Sequence, residues 1–302
     1  MVRRVVIGPT GLRTFEDPDP PQEVERPLPP EDKRYGFSNQ HYDAFKKTVV
    51  CHFYNEARLL PWWLEHHKRI FDHGIMIDYN STDQSYNIIR DICPSWEIRP
   101  TKNKFFDAIA VDKEVMEIEK ELSGWRIALN VTEFLYGNTD RLVDIKENTQ
   151  YLIGNYVFVD MENIDQGQTI LDPRYPLYKQ RYWGFDEFEN RGSPTGGMMG
   201  RMNRSIHNYP VVYSGGRHFG NGAPQSFGDL AIFYYGWYDL SPQGLIRKTQ
   251  IQDKIAYGGE QHKHDIKAFQ YIGSILKKRC RDLRSEIAGI IEHNKRITGS
   301  DW

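Results

Sequence analysis

The chain has 302 residues, 39% of them hydrophobic and 26% charged, with 39 Lys and Arg against 41 Asp and Glu for a formal net charge of −2. At roughly 150 residues per domain this length gives one large or two ordinary domains and excludes a peptide-sized module. The composition excludes a disordered polyelectrolyte, and near-neutrality supplies no pull toward nucleic acid or an anionic membrane.

No apolar run approaches the roughly 20 residues of a membrane span. Met1–Leu12 carries two arginines and only the short apolar patch Val5–Ile7, too little for a secretory signal, so the chain is expected to be soluble and cytoplasmic. Cys51, Cys93 and Cys280 are odd in number and lack C-x-x-C spacing, so neither a disulfide framework nor a zinc knuckle is expected. Phe15 to about Tyr35 reads FEDPDPPQEVERPLPPEDKRY. Repeated proline removes backbone donors and the charges resist burial, so an extended N-terminal arm is expected over 1–43.

The folded unit begins near Ala44. A β-rich run Thr48–Phe53, a helical stretch Ala57–Phe71, an apolar run Ile75–Ile77 and a helix over Gln84–Ile92 alternate at the spacing of a parallel sheet. The next helix, Ala108 to Leu122, sets Ile109, Val111, Val115, Met116 and Ile118 among charges, with Gly124 placed to end it. Trp125–Leu129 reads as a third buried strand and Tyr151–Met161 as another. Asp172–Asn203 is rich in Gly, Pro and aromatics without periodicity, as in loops that form a site. Val211–Tyr213 and Leu230–Tyr235 read as further strands. Ser241-Pro242 offers an N-cap and first-turn proline to a helix reaching Ala256, and a long amphipathic helix, continuous or broken, covers most of Asp265–Asn294. The expected plan is the arm, an α/β domain over 44–260 and a helical extension over 261–302, with no internal repeat.

Aromatic residues make up 13% of the chain, with 18 Tyr and 7 Trp. Their faces suit sugar rings and nucleobases as well as core filling. In an open parallel sheet ligands sit outside the carboxyl ends of the strands. The first such exit reads His52-Phe53-Tyr54-Asn55-Glu56 and the second Asp78-Tyr79-Asn80-Ser81-Thr82-Asp83. Asn55 fits a ligand role or a helix cap. The acids, amide and hydroxyls of the second exit could hold a ribose and the edge of a base; capping alone would explain Ser81 or Asp83 but not Asp78. No glycine-rich phosphate loop follows either strand, which argues against dinucleotide and P-loop enzymes.

The segment VVCHFYNEARLLPWWLEHHKRIFDHGIMIDYNSTDQS resembles the opening of a family 2-like glycosyltransferase of the GT-A type. In that family a strand ends in Asn-Glu and the next delivers an Asp and a Ser-Thr-Asp. The run GWRIALNVTEFLYG sits where the family writes Asp-x-Asp followed by Glu-Phe-Leu. The resemblance covers Thr48–Leu135, with a fainter echo through Gly215-Gly216-Arg217-His218-Phe219 and Ile232–Arg247. It implies a GT-A, Rossmann-like α/β fold, a mixed and mainly parallel sheet flanked by helices. It places Phe53, Asn55, Glu56, Asp78, Ser81 and Asp83 around the uridine of a sugar nucleotide, and Asn130, Thr132 and Glu133 at the pyrophosphate and metal.

The chain also departs from the family pattern. Hard Mn²⁺ or Mg²⁺ ions want carboxylate oxygens, yet Asn130 and Thr132 stand for both aspartates, and Tyr234 stands where relatives often place a metal-binding histidine. Three outcomes are open: weak metal binding, a cation held by Glu133 with substrate oxygens, or metal-independent catalysis. Stabilising a departing diphosphate then needs positive charge, for which Arg247, Lys248 and His218 are candidates. An inverting transfer also needs a general base, offered by Asp186 or Glu187, or by Asp229. His66-His67, in a helix with no matching ligand pair nearby, are read as surface or packing residues rather than a metal site.

The function these features imply is transfer of a sugar from a nucleoside diphosphate sugar, a UDP-sugar first, to a hydroxyl of a glycan or glycoconjugate acceptor, with inversion. A catalytically silent module that binds a sugar nucleotide or glycan is the main alternative. A nucleotidyltransferase is disfavoured, because HFYNEAR stands where a Gly-rich loop with a basic residue would be needed.

Overall fold

The computed structural model describes residues 3–8, 11–16, 46–144, 148–161, 171–187, 204–217, 220–221, 225–255 and 265–301. The chain divides into two compact units, 1–41 and 42–302. In the first, β1 (Arg3–Gly8) and β2 (Gly11–Glu16) pair antiparallel, with Arg3 opposite Glu16 and Gly8 opposite Gly11. This hairpin lies within the stretch 1–43 and precedes most of the proline-rich run read as an extended arm. Its sequence origin is the β-branched run Val5–Ile7 followed by Gly-Pro-Thr-Gly, a turn signal between two strand-forming runs. The proline-rich stretch 17–45 lies outside the described residues.

The second unit is built on one ten-stranded sheet. Its parallel half is ordered β6 (Trp125–Ala128), β3 (Lys47–Phe53), β4 (His73–Asp78) and β5 (Glu97–Pro100). Beyond β6, the strands β10 (Arg204–His207), β8 (Gln150–Val159), β9 (Trp183–Asp186) and β12 (Arg281–Asp282) pair antiparallel. The long β11 (Gln225–Trp237) runs parallel to β8 and carries β7 (Glu133–Gly137) antiparallel on its other side. Two antiparallel steps through β10 restore direction, so β3, β4, β5, β6, β8 and β11 all point the same way. Their carboxyl ends share one edge of the sheet.

Strand alternation assigns side chains to faces. Val49, Cys51 and Phe53 enter the main core with α1 (Leu60–His67), α2 (Ser85–Ile92) and the first turn of α7 (Arg284–Thr298). Val50 enters a second cluster with Val115 and Ile118 of α3 (Ala108–Lys120). Val111, Val115 and Ile118 give α3 its buried stripe, and Asp107 caps it by accepting the Ala110 N–H at 2.8 Å. Gly124, at φ 71°, turns the chain into β6, a conformation glycine adopts without Cβ strain.

The short α4 (Leu177–Gln180) precedes β9, and α5 (Pro242–Thr249) and α6 (Ile266–Lys277) cover the end of β11. Ser241 caps α5 by accepting the Gly244 N–H at 3.1 Å. The helix ends at Thr249 and tightens into a 3₁₀ turn, Gln250–Lys254, short of the expected Ala256. The expected extension over 261–302 is not peripheral: Leu276 packs with Val157, Phe185 and Trp237, and Leu283 and Ile287 lie in the main core. Val211–Tyr213 is not a strand; Tyr213 makes a single bridge to Gly220, and Pro210 before it supplies no backbone donor.

Candidate functional site

A pocket of about 280 Å³ opens at the shared carboxyl edge. Its wall takes His52, Phe53, Tyr54 and Glu56 from the β3 exit, Tyr79 from the β4 exit and Asn130, Val131 and Thr132 from the β6–β7 connection. Tyr234 and Gly236 come from β11, Arg247, Lys248, Gln250 and Ile251 from α5 and the turn after it, Phe106 from the approach to α3, and Phe269 from α6. Of the residues expected to bind a sugar nucleotide, Phe53, Glu56, Asn130, Thr132, Arg247 and Lys248 therefore meet on one wall. Segments nearly 200 positions apart in sequence converge there because every contributing strand ends at that edge.

Asn55, Asp78, Ser81 and Asp83 are not on the wall; their polar groups brace the two exits. Asn55 (φ 51°) and Asn80 (φ 61°) take the left-handed turn that asparagine tolerates. Asn55 Oδ1 accepts the Thr82 N–H at 2.7 Å and its own N–H donates to Ser81 Oγ at 3.1 Å. Asp83 Oδ2 accepts the Ala57 N–H and Oδ1 the Ser85 N–H, both at 2.9 Å. Asp78 Oδ1 accepts the Ser81 N–H at 2.8 Å, which supplies the structural reason for that carboxylate that capping alone does not. Gln250 completes the brace, donating through Nε2 to the Tyr54 and Asn55 carbonyls at 2.9 and 3.0 Å.

One end of the pocket is aromatic. His52, Tyr79 and Phe106 form a triangle with ring centroids 6.1 to 6.4 Å apart. Burial, reinforced by Arg217 and Arg204, drives His52 well below its ordinary pKa, so the imidazole is neutral at pH 7. The wall also carries two cationic side chains, Arg247 and Lys248. Arg247 Nη1 reaches both Glu56 oxygens at 2.8 and 3.1 Å. Burial works against the Arg247 charge, but Glu56, and after it Tyr238 and Tyr234, together outweigh it and hold the guanidinium above its usual value. Burial and then Arg247, opposed by Glu56, pull Lys248 down to about 7. Burial, and after it the charge of Glu133, raises Tyr234.

Behind the wall lie two buried ion pairs. Arg204 grips Glu133 bidentately, Nη2 to Oε1 at 2.7 Å and Nε to Oε2 at 2.9 Å, with both side chains essentially inaccessible. Arg217 donates to Asp112 at 2.7 Å and to Asn130 Oδ1 at 2.8 Å. The Asn130 N–H completes the first pair by donating to Glu133 Oε2 at 2.8 Å.

This arrangement bears directly on a metal. Both oxygens of Glu133 accept from a guanidinium, the side-chain oxygen of Asn130 accepts from another, and among the described residues no three His, Cys, Asp or Glu side chains come together. The residues present do not fit a divalent cation at Glu133, since a hard cation needs free anionic oxygens.

Asp229 does not reach the pocket. It stands five residues before Tyr234 on β11, roughly 16 Å along a strand, and pairs with Arg141. Arg141 lines a separate hollow with Asn138, Asp140, His293 and Arg296. Asp186 and Glu187 lie at and just past the end of β9, and Glu187 is among the charges that raise Tyr234. His218 lies outside the described residues. Of surface and packing, the two places expected for the histidine pair, the structure gives packing: His66 Nε2 meets the Leu135 carbonyl at 2.6 Å, and His67 bonds the Trp63 carbonyl and the Leu135 N–H at 2.9 and 3.1 Å. His52, Tyr79, Phe106 and Gln250 are wall or bracing residues that sequence reasoning did not select, although His52 and Tyr79 stand inside the two strand exits. Arg204 and Arg217 gave no local signal, because their carboxylate partners are 71 and 105 positions away.

No protein-family model matches the chain, and no curated protein matches it. Among solved structures it is similar to S. aureus TarS residues 1–349 in complex with UDP, at 13% identity and TM-score 0.29, over 54% of this chain and 47% of that one. The complex of the same protein with UDP-GlcNAc gives 15%, 0.28, 54% and 45%. HddC from Yersinia pseudotuberculosis gives 11%, 0.25, 38% and 60%. This chain spans less than half the length of the TarS chains it matches. At such scores the likenesses support no conclusion.

Proposed function

We propose that the pocket binds a nucleoside diphosphate sugar, a UDP-sugar first, and that the protein transfers the sugar to a hydroxyl of a glycan acceptor with inversion. The observation that carries this reading is the adjacency, in one pocket at a strand-exit edge, of the His52–Tyr79–Phe106 triangle and the Arg247–Lys248 pair. Flat aromatic walls accept a base, while oriented cations stabilise the charge that grows on a departing diphosphate. In this reading Arg247 and Lys248 act where a metal would otherwise be needed, and catalysis is metal-independent. Asn130 and Thr132 orient phosphate oxygens. Glu187, close enough to Tyr234 to influence its phenol, or Asp186 beside it, takes the acceptor proton as that oxygen attacks the anomeric carbon.

Turnover of a panel of UDP- and GDP-sugars, with Mn²⁺ and with EDTA, tests the proposal. The expected result is consumption of a UDP-sugar that EDTA does not inhibit. The silent-module reading draws on the Glu133–Arg204 pair, which fills the place of the family's acidic motif. Tight UDP binding with no turnover of any sugar nucleotide, with varied glycan acceptors, would favour it.

A further inference from the structure

Among the described residues Lys248 has one acceptor for three protons. Its Nζ donates to the Gly236 carbonyl at 2.6 Å and otherwise sits over two rings, 3.8 Å from the Trp237 centroid and 5.2 Å from that of Phe269. Among the described residues no carboxylate pairs with it, because Glu56, the acid whose charge it feels, is held by Arg247. The charged groups facing it are therefore Arg247 on its own helix and Glu56 from the β3 exit. From β11 come Gly236, Trp237 and Tyr234, and from α6 comes Phe269. The rest of the wall carries His52, Tyr54, Tyr79 and Tyr234 as titratable groups; burial raises Tyr234 and Tyr79 and lowers His52, so these three are neutral at pH 7 to 8. An ammonium in this setting is poorly solvated, has one hydrogen bond and lies beside a guanidinium. Burial and that guanidinium bring its pKa to about 7.

We propose that Lys248 is the pocket's adjustable charge: when a diphosphate enters, its Nζ takes up a proton from solvent and becomes the ammonium partner of the phosphate oxygens. The inference rests on the reading of the pocket as a diphosphate site and adds a coupling that reading does not contain. A phosphate dianion within about 4 Å supplies the attraction that the empty pocket withholds from an ammonium. Two adjacent cations are then not required until there is an anion between them. In the transfer reaction the departing diphosphate would meet a charge assembled by its own binding.

Calorimetric titration of the full chain with UDP at pH 8, in buffers of unlike ionisation enthalpy, counts the protons taken up. At that pH the terminal phosphate is itself ionised, its second pKa being near 6. Wild-type protein is expected to take up about one proton per UDP at pH 8 and far fewer at pH 6, where the free lysine is already charged. Lys248→Arg, permanently charged, is expected to bind UDP with uptake near zero. Lys248→Met is expected to bind UDP about tenfold more weakly or worse. UDP binding without proton uptake in the wild type, or equal uptake in Lys248→Arg, overturns the inference and leaves the pocket reading intact. Wild-type protein that binds none of UDP, GDP and dTDP overturns both.

Discussion

Glu56 and Arg247 lie 191 positions apart and meet in the pocket, one guanidinium nitrogen donating to both carboxylate oxygens. The pair joins the β3 exit to α5 and leaves the guanidinium facing the ligand space. Arg247→Ala is therefore expected to weaken UDP binding by about 1.5–3 kcal/mol, the range for hydrogen bonds to charged groups. Glu56→Gln acts differently. It removes the charge that partly supports the Lys248 ammonium, so the Lys248 pKa should fall further; proton uptake on UDP binding, measured near pH 7, should rise.

The Glu133–Arg204 pair predicts a stability effect in place of a metal effect. Glu133→Gln or Arg204→Met removes one charge of a buried pair and leaves the other without that counter-charge, at a cost of about 3–5 kcal/mol. The double variant is expected to recover most of that loss, which urea unfolding of all four proteins measures. A Glu133→Gln protein of unchanged stability that loses a Mn²⁺ response would contradict the assignment.

Much of the fold was legible because the parallel half announces itself locally. Thr48–Phe53, Ile75–Ile77 and Trp125–Leu129 are mainly apolar runs, interrupted only by Thr48, His52 and Arg126, and separated by helices, close to what doubly covered strands require. The antiparallel half was less legible. The strands β9, β10 and β12 are four residues or fewer, and Arg204 at the start of β10 is a buried cation paired with Glu133, 71 positions away. In the site, sequence found the exits but not the division of labour within them. Phe53 and Glu56 line the pocket while Asn55, Ser81 and Asp83 lace the two loops together, and which of neighbouring polar residues faces the ligand depends on turn geometry that a motif does not encode.

Acid should destabilise the fold through α1. His66 and His67 hold the N–H and C=O of Leu135, and His67 Nε2 can accept that N–H only when neutral. Burial lowers His66 from 6.5 to about 4, and His67 lies well below its ordinary value. The unfolded chain thus binds these protons first. Stability is fully present above about pH 6.5 and is lost as pH falls toward about 4, by about 3 kcal/mol for His66 alone. Denaturant midpoints between pH 7 and pH 4.5 check this, and a His66→Gln/His67→Gln variant should show a shallower decline.

Gly236 lets Tyr234 fold back over it. A Cβ at that position would strike the Tyr234 hydroxyl and ring edge, so Gly236→Ala is expected to displace Tyr234 from the pocket wall and lower UDP affinity severalfold. Adding Tyr234→Phe, which removes the nearest of the struck atoms, should restore part of the loss. Titrations of the single and double variants decide it; equal affinity for Gly236→Ala and wild type would place Tyr234 outside the ligand space.

In the proposed function the β3, β6 and β11 exits and α5 together form a nucleoside diphosphate site. Calorimetric titration of the wild type and Arg247→Ala with UDP, GDP and dTDP tests it most directly. Saturable binding led by UDP is expected, weakened about tenfold or more in Arg247→Ala. Failure of all three nucleotides to bind the folded wild type, or an affinity for UDP that Arg247→Ala leaves unchanged, would contradict it.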